Sequence, residues 1–371
     1  MGTAYTPGLK VSAFTTVRKT RRLPLKGEVV VAAGQEVEPD TVVARTNVPG
    51  ILRTVRAADI LGVDADEVPA ALLVKLGDEV EAGQLIASTR SFFGLFKSEC
   101  RSPVAGVAEL VSETTGHVGI RERPNPIEVT AYVRGRVAQV LEGEGVIVAT
   151  QGAFIQGIFG VGGERRGTIR MAVSDPNQPI TEMDIRSEHA GVVLCGGCCV
   201  RGAALRRAAE VGVAGIVVGA VVDQDLVDFL GYDIGVAITG HEGIPLTLII
   251  TEGFGAIRMA QRTFDLLRAL EGQQASINGA TQIRAGVIRP EVIVPRVDGE
   301  PEQDGERHDL ESGVPIRIIR EPYFGRLATV AALPSEPQPI PTGASVRVLE
   351  AQLASGERVT VPRANVELIE E

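Results

Sequence analysis

The chain has 371 residues, too many for one ordinary hydrophobic core, so about two to four domains are expected. Hydrophobic residues at 44% and charged residues at 23% exclude wholesale disorder, and aromatics at 4% with no Trp exclude an aromatic-rich binding face. A formal charge of −10 argues against a large nucleic-acid footprint, which needs clustered Lys and Arg.

The first residues, MGTAYTPGLKVSAF, lack the apolar centre of a signal peptide, and no apolar run approaches the ~20 residues of a membrane span. Four cysteines are too few for a secreted disulfide scaffold, and three of them crowd into Cys195–Cys199. The expectation is a cytoplasmic protein without membrane insertion.

An internal repeat comes next. Val31-Ala-Ala-Gly34-Gln-Glu36-Val37-Glu38 recurs as Val74-Lys-Leu-Gly77-Asp-Glu79-Val80-Glu81, and the register continues from Val43-Ala44-Arg-Thr46 to Ile86-Ala87-Ser-Thr89. Each copy reads as a strand, a Gly turn, an acidic segment and a second apolar strand. Each also leads to a Pro/Gly corner, Val48-Pro49-Gly50-Ile51 in the first copy and Pro103-Val104-Ala105-Gly106-Val107 in the second. The expectation is that the copies pair as related halves of one β structure, with Gly34 and Gly77 at equivalent turns.

On these residues, residues 20–130 resemble the barrel-sandwich hybrid fold, shared by biotinyl and lipoyl carrier domains, parts of RNA polymerase large subunits and RnfC-type proteins. The resemblance implies a fold and no activity. Carrier domains modify a lysine presented on a hairpin, and the nearest one here is Lys97, which lacks the usual Met or acidic flank. No biotin or lipoate attachment, and no other cofactor, is expected.

Residues 131–184 read as a further glycine-rich β segment, with strands at Val137–Val140 and Val146–Ala149. Gly152-Ala-Phe-Ile-Gln-Gly157-Ile-Phe-Gly160-Val-Gly162-Gly163 is not followed by Lys-Ser/Thr, so a phosphate-binding loop is rejected. A glycine-rich hairpin or a close backbone contact is expected instead.

Residues 185–295 alternate between strand and helix patterns, which predicts a parallel sheet covered by helices. The predicted strands are Ala190–Leu194, Gly215–Val218, Val236–Ile238 and Leu246–Ile250. The predicted helices are Ala204–Glu210, Asp223–Leu230 and Ala256–Leu270, the last burying Ile257, Ala260, Phe264 and Leu267. This stretch resembles small swivelling or protease-associated α/β domains. Residues 296–313 form an acidic linker in which seven carboxylates between Asp298 and Glu311 oppose Arg307.

Residues 314–371 read as short strands at Ile316–Ile319, Ala328–Val330, Val346–Leu349 and Arg358–Val361, with Pro322-Tyr323-Phe324-Gly325-Arg326 between the first two. The arrangement resembles the KOW module of NusG-type and ribosomal proteins, a small β-barrel that contacts RNA or protein. The fold class is therefore multidomain: a duplicated hybrid-like β region, a parallel α/β domain and a KOW-like barrel.

Two sets of residues carry the candidate chemistry. Cys195-Gly196-Gly197-Cys198-Cys199 lies between a strand and a helix, where a parallel sheet commonly binds ligands. Its glycines and the following helix N-terminus would suit an anion or a reactive thiolate, and tight strand–helix packing is the alternative. A tetrahedral metal site is not expected, because no second Cys pair exists and the four histidines are scattered. Asp223, Thr251, Glu252, His241 and Glu242, with Asp233, could face the same crevice as an acid/base set, or act as helix caps and solvated loop charges.

In the tail, Tyr323, Phe324 and Arg326 are the candidate partner contacts. Six Arg against seven Glu from Val314 onward leave the tail no basic surface, which favours protein over RNA as its partner. Three functions follow: a non-catalytic scaffold engaging a larger assembly, by partner proteins or self-association; a small-ligand protein or enzyme at the cysteine turn; and a transcription- or RNA-associated factor.

Overall fold

The structure, a computed structural model, describes residues 9–91, 96–232, 239–240, 242–282, 288–299, 310–319, 322–323, 325–339 and 345–369. It is mostly β, arranged in several sheets. The chain enters through β1 (Val11–Arg22), β2 (Glu28–Val29), β3 (Glu36–Val37) and β4 (Val42–Val48), the first repeat copy. The second copy follows as β5 (Leu52–Arg56), short helices α1 (Ala57–Leu61) and α2 (Val68–Ala71), β6 (Glu79–Val80), β7 (Leu85–Ser91), β8 (Phe96–Arg101), β9 (Gly106–Ser112) and β10 (His117–Glu122). The chain then returns to the first copy through β11 (Asn125–Thr130) and β12 (Gly135–Leu141).

The copies are therefore nested, not paired as two halves. β4 pairs antiparallel with β11, from Val42↔Thr130 to Val48↔Asn125, and β7 pairs in the same way with β8, from Leu85↔Arg101 to Ser91↔Phe96. β3 lies against β12 as β6 lies against β9. The whole second copy is inserted where the first has a hairpin end.

Gly34 and Gly77 do occupy equivalent turns, at φ 84° and 96°. Gly34 N–H donates to Val137 O and Gly77 N–H to Ala108 O, both at 2.7 Å. Val137 N–H and Ala108 N–H return bonds to Gln35 O (2.8 Å) and Asp78 O (3.0 Å). Side-chain oxygens are matched as well. Gln35 Oε1 accepts from Ala32 N–H at 3.0 Å, and Asp78 Oδ2 from Lys75 N–H at 2.8 Å. Likewise Thr41 Oγ1 accepts from Glu38 N–H at 3.0 Å, and Gln84 Oε1 from Glu81 N–H at 2.8 Å. The residue types diverge, but an acceptor oxygen is retained at each point.

This pairing corrects the match between the corners. The counterpart of Pro103–Gly106 is Tyr132-Val133-Arg134-Gly135, not Val48–Ile51. A Cβ on Gly106 would lie 2.1 Å from Arg121 O, and one on Gly135 would lie 2.3 Å from Ala149 O. Both corners need glycine because a neighbouring strand's backbone crosses there.

β13 (Gly145–Gln156), β14 (Phe159–Val161), β15 (Glu164–Met171), β16 (Val192–Cys195), β17 (Cys199–Val200), α3 (Gly202–Val211), β18 (Gly215–Val221), α4 (Asp223–Leu230), β19 (Thr247–Phe254), α5 (Gln261–Ala269), β20 (Gln274–Asn278) and β21 (Glu291–Pro295) complete a 12-stranded sheet. β15, β16, β18 and β19 run parallel and side by side. Beyond β15 the neighbours β20, β21, β13, β12 and β3 are antiparallel, so β3 and β12 of the first copy share the sheet with the parallel strands, while β2, β4 and β11 form a separate three-stranded sheet. β1 pairs along β13. The strands thus run in one sheet across position 184, whereas near 130 the chain passes from the three-stranded sheet of β2, β4 and β11 into the twelve-stranded one.

β18 is buried at every residue, which is why it reads as a continuous apolar run. α4 has the predicted limits, whereas α5 starts later than its apolar pattern suggests. Residues 255–260 instead cross the sheet edge over Gly219, where a Cβ would meet Ile257 O at 2.5 Å and Met259 N at 2.9 Å. Val236–Ile238 lies outside the described residues, as does most of the acidic linker.

The tail forms a five-stranded sheet of β22 (Pro315–Ile318), β23 (Leu327–Ala332), β26 (Val348–Leu353), β27 (Arg358–Pro362) and β28 (Val366–Leu368), with the short pair β24 (Gln338–Pro339) and β25 (Ser345–Val346) beside it. Ile316, Ile318, Val330, Leu349, Ala351, Val366 and Leu368 form its core.

Nesting makes a direct prediction. Because Val48 and Asn125 are cross-strand partners, a two-residue Asn-Gly turn can replace residues 49–124. The shortened protein should keep β-type circular dichroism and unfold cooperatively in urea; an unfolded or aggregated product would contradict nesting.

Candidate functional site

The cysteine turn is largely buried, with Cys198 half-exposed. Cys195 ends β16 with its thiol inside the core, and burial, reinforced by the charge of Glu271, pushes that thiol far up from its ordinary range. Gly196 and Gly197 have φ of 109° and 85°. A Cβ on Gly196 would meet Met171 and Phe264 at 3.0 Å, and one on Gly197 would meet Gln178 O at 2.5 Å. The turn's polar groups are also used internally: Gly196 N–H donates to Val217 O (2.9 Å), Cys198 N–H to Gln178 O (3.0 Å) and Gly219 N–H to Gly197 O (3.1 Å).

Cys198 Sγ and Cys199 Sγ are 3.7 Å apart, and burial, then the hydrogen bond with Cys198, pushes the Cys199 thiol up to about 11. At the start of α3, where an anion was considered, Asp225 Oδ1 lies 3.0 Å from the position of a Cβ on Gly202. The chain's own carboxylate occupies that end. The packing alternative accounts for the whole turn.

Thr251 and Glu252 lie near the end of β19 and are both buried. Thr251 Oγ1 donates to Glu252 Oε1 at 3.1 Å, and Ala260 N–H donates to the same oxygen at 3.0 Å, just before α5. Glu252 Oε2 accepts from Arg317 Nη2 at 2.9 Å, and Arg317 Nη1 donates to Glu367 Oε1 at 2.8 Å. Arg289 closes the chain on the other oxygen of Glu367. Glu252 is thus part of a buried ion network joining the main sheet to the C-terminal five-stranded sheet, rather than an acid facing a substrate.

Glu242 is similarly committed, its Oε2 accepting from Gly162 N–H (2.9 Å) and Gly240 N–H (2.7 Å). His241, Asp233 and Phe324 lie outside the described residues. Tyr323 is half-buried and packs on the barrel's own core. Lys97 is on β8, paired with Glu99 at 2.5 Å. Among the described residues no three His, Cys, Asp or Glu side chains gather as metal ligands would.

What the structure does bring together is a cleft of about 960 Å³ between the main sheet and the barrel. Val222, Asp223 and Gln224 at the start of α4 form one wall with Phe254 and Gly255 at the end of β19. Arg326, Leu327, Leu353, Ala354 and Ser355 from the barrel form the other, and Phe159 and Ile257 add apolar surface. Phe159 and Phe254 stack tilted, with centroids 5.2 Å apart. The barrel approaches so closely that a Cβ on Gly253 would meet Gly325 O at 2.6 Å.

The sequence places Asp223 and the Thr251–Glu252 segment at a crevice and Arg326 at a partner contact. The convergence of Asp223 and Arg326 on one cleft is not legible there. Arg317, Glu367 and Arg289 escaped notice as site-building residues. For Arg317 and Glu367 the signal is a charged residue inside a short apolar strand, as in Ile316-Arg317-Ile318 and Val366-Glu367-Leu368.

Compared with known proteins, the chain matches no protein-family model and no curated protein significantly.

The packed turn predicts slow thiol chemistry. Since raised thiols remain protonated near neutral pH, iodoacetamide should label Cys195 and Cys199 at least ~100-fold more slowly in the native protein than after denaturation. Labelling of Cys199 should accelerate toward alkaline pH without levelling near neutrality. Peptide mass spectrometry reads both, and fast neutral labelling of Cys199 would contradict the packing role.

Proposed function

We propose that the protein is a non-catalytic binding protein, a scaffold whose β modules engage a larger protein assembly in the cytoplasm. The nested copies serve in this reading as barrel-sandwich-hybrid-like modules and the tail as a KOW-like one. The observation that carries it is the surface of the inserted copy, where Ile51, Ile60, Leu73, Leu76 and Leu110 are all exposed. Leu110 and Leu52 flank Gly119 on one face, at 3.0 and 3.1 Å from where its Cβ would be, so these two adjoin. Exposed apolar surface of this kind is typical of protein contacts.

The residues considered for catalysis support the same reading, because Glu252, Glu242 and the cysteine turn are all engaged in holding the fold. All four cysteines are free, as suits a reducing compartment, and no described helix is long and apolar enough to cross a membrane. The RNA reading loses ground on the placement of the tail's arginines. Arg317 is buried, and Arg363 donates to the backbone oxygens of Val348 (3.0 Å) and Pro334 (2.7 Å). That leaves few cations for phosphate.

The test is affinity purification from the native cell with the full chain and with L73S/L76S/L110S. The scaffold should retain a protein partner at near-stoichiometric yield, and the variant should lose it at least ~tenfold while unfolding at the same urea concentration. Equal recovery by both proteins, or recovery of RNA in place of protein, would overturn the proposal.

A further inference from the structure

We infer that the cleft between the main sheet and the C-terminal barrel is a binding site for a small amphipathic organic anion, with an aromatic or aliphatic body and one carboxylate, sulfonate or phosphate group. This site is separate from the protein-binding surface proposed above.

Three observations lead there. The first is size and place: about 960 Å³ is ample for a small molecule, and the cleft opens at the carboxyl ends of parallel β18 and β19. Two segments there, Val222–Gln224 after β18 and Phe254–Gly255 at the end of β19, line the cleft.

The second is the lining. Phe159, Phe254, Ile257, Leu226, Val227 and Leu353 provide a broad apolar surface with a tilted aromatic pair. An apolar body would gain its burial there.

The third is the charge. Arg326 lines the barrel wall, and its guanidinium makes no ion pair among the described residues. Asp223 on the facing wall is already engaged and sits in the first turn of α4, where the helix end favours its negative charge. Arg326 is the cation of the lining that a ligand's anionic group can complement. Gln224 and Ser355 are the neutral polar groups of the lining and can add hydrogen bonds to the head group.

The site requires the barrel to be docked, because half of its wall is barrel. A ligand that touches both walls consequently favours the docked arrangement by mass action.

The experiment uses the full-length protein and the dye 8-anilinonaphthalene-1-sulfonate, whose aromatic body and sulfonate match the inferred ligand class. Its uncharged analogue, N-phenyl-1-naphthylamine, serves as the comparison. The native protein should bind the sulfonate saturably at one site. Arg326→Gln should weaken the sulfonate at least ~tenfold, as loss of a charge-assisted bond does, and leave the uncharged dye within about twofold. Ala354→Trp, on the exposed rim, should fill the cleft and abolish both.

L73S/L76S/L110S should bind both dyes like the parent, which separates this site from the apolar surface of the inserted copy. Absence of saturable binding, binding indifferent to Arg326→Gln and Ala354→Trp, or equal weakening of both dyes by Arg326→Gln would each overturn the inference. Loss of protein partners by L73S/L76S/L110S reads out on a different surface, so either proposal can fail without the other.

Discussion

One buried guanidinium holds the two ends of this architecture together. Arg317 on β22 is 3% exposed and lies between Glu252 of the main sheet and Glu367 of β28. Withdrawing these charges from water is costly, and a well-packed apolar cluster could be as stable. An apolar cluster would not specify one docking geometry, whereas the fork of an arginine bonded to two carboxylates leaves the barrel little freedom to slide. With the barrel so held, Gly325 abuts Gly253, and the cleft acquires its second wall.

Why one edge of a parallel sheet carries both a packed turn and an open cleft follows from side-chain size. At Cys195–Cys199 the small residues admit Phe264, Met171 and Gln178 against the backbone at Gly196 and Gly197. At the ends of β18 and β19 the neighbouring cover is a separate module, and two surfaces that each fold on their own core rarely close without a gap. Ligand space here arises from docking and not from a catalytic loop.

Much of the local structure was legible in the sequence. The repeat was visible because its turns need a glycine at positive φ and an acceptor side chain at fixed points, and α4 was visible from Asp223 to Leu230. Nesting was not legible, since the partner strands of the first copy come after the whole second copy, and nothing local in 125–137 says which strands they will meet. The same limit hid the site. Asp223, Phe254 and Arg326 are each ordinary in their own segments, and the bond from Arg317 to Glu252 joins strands separated by the acidic linker. α5 was misread at its start because apolar spacing continues through Ile257 and Ala260, while Glu252 draws Ala260 N–H into a cap from outside the helix.

The central claim is that the Arg317–Glu252 contact docks the barrel, and a double-mutant cycle measures that contact most directly. Arg317→Met, Glu252→Gln and the double variant would be compared by urea unfolding of the full-length protein. Each single change leaves a buried group without its partner and should cost about 3–5 kcal/mol for Arg317→Met, with less for the neutralised Glu252. The account predicts that the double variant is destabilised by clearly less than the sum, with a coupling of more than ~1 kcal/mol. Strict additivity would contradict it, and would mean that the barrel is held by something other than this bridge.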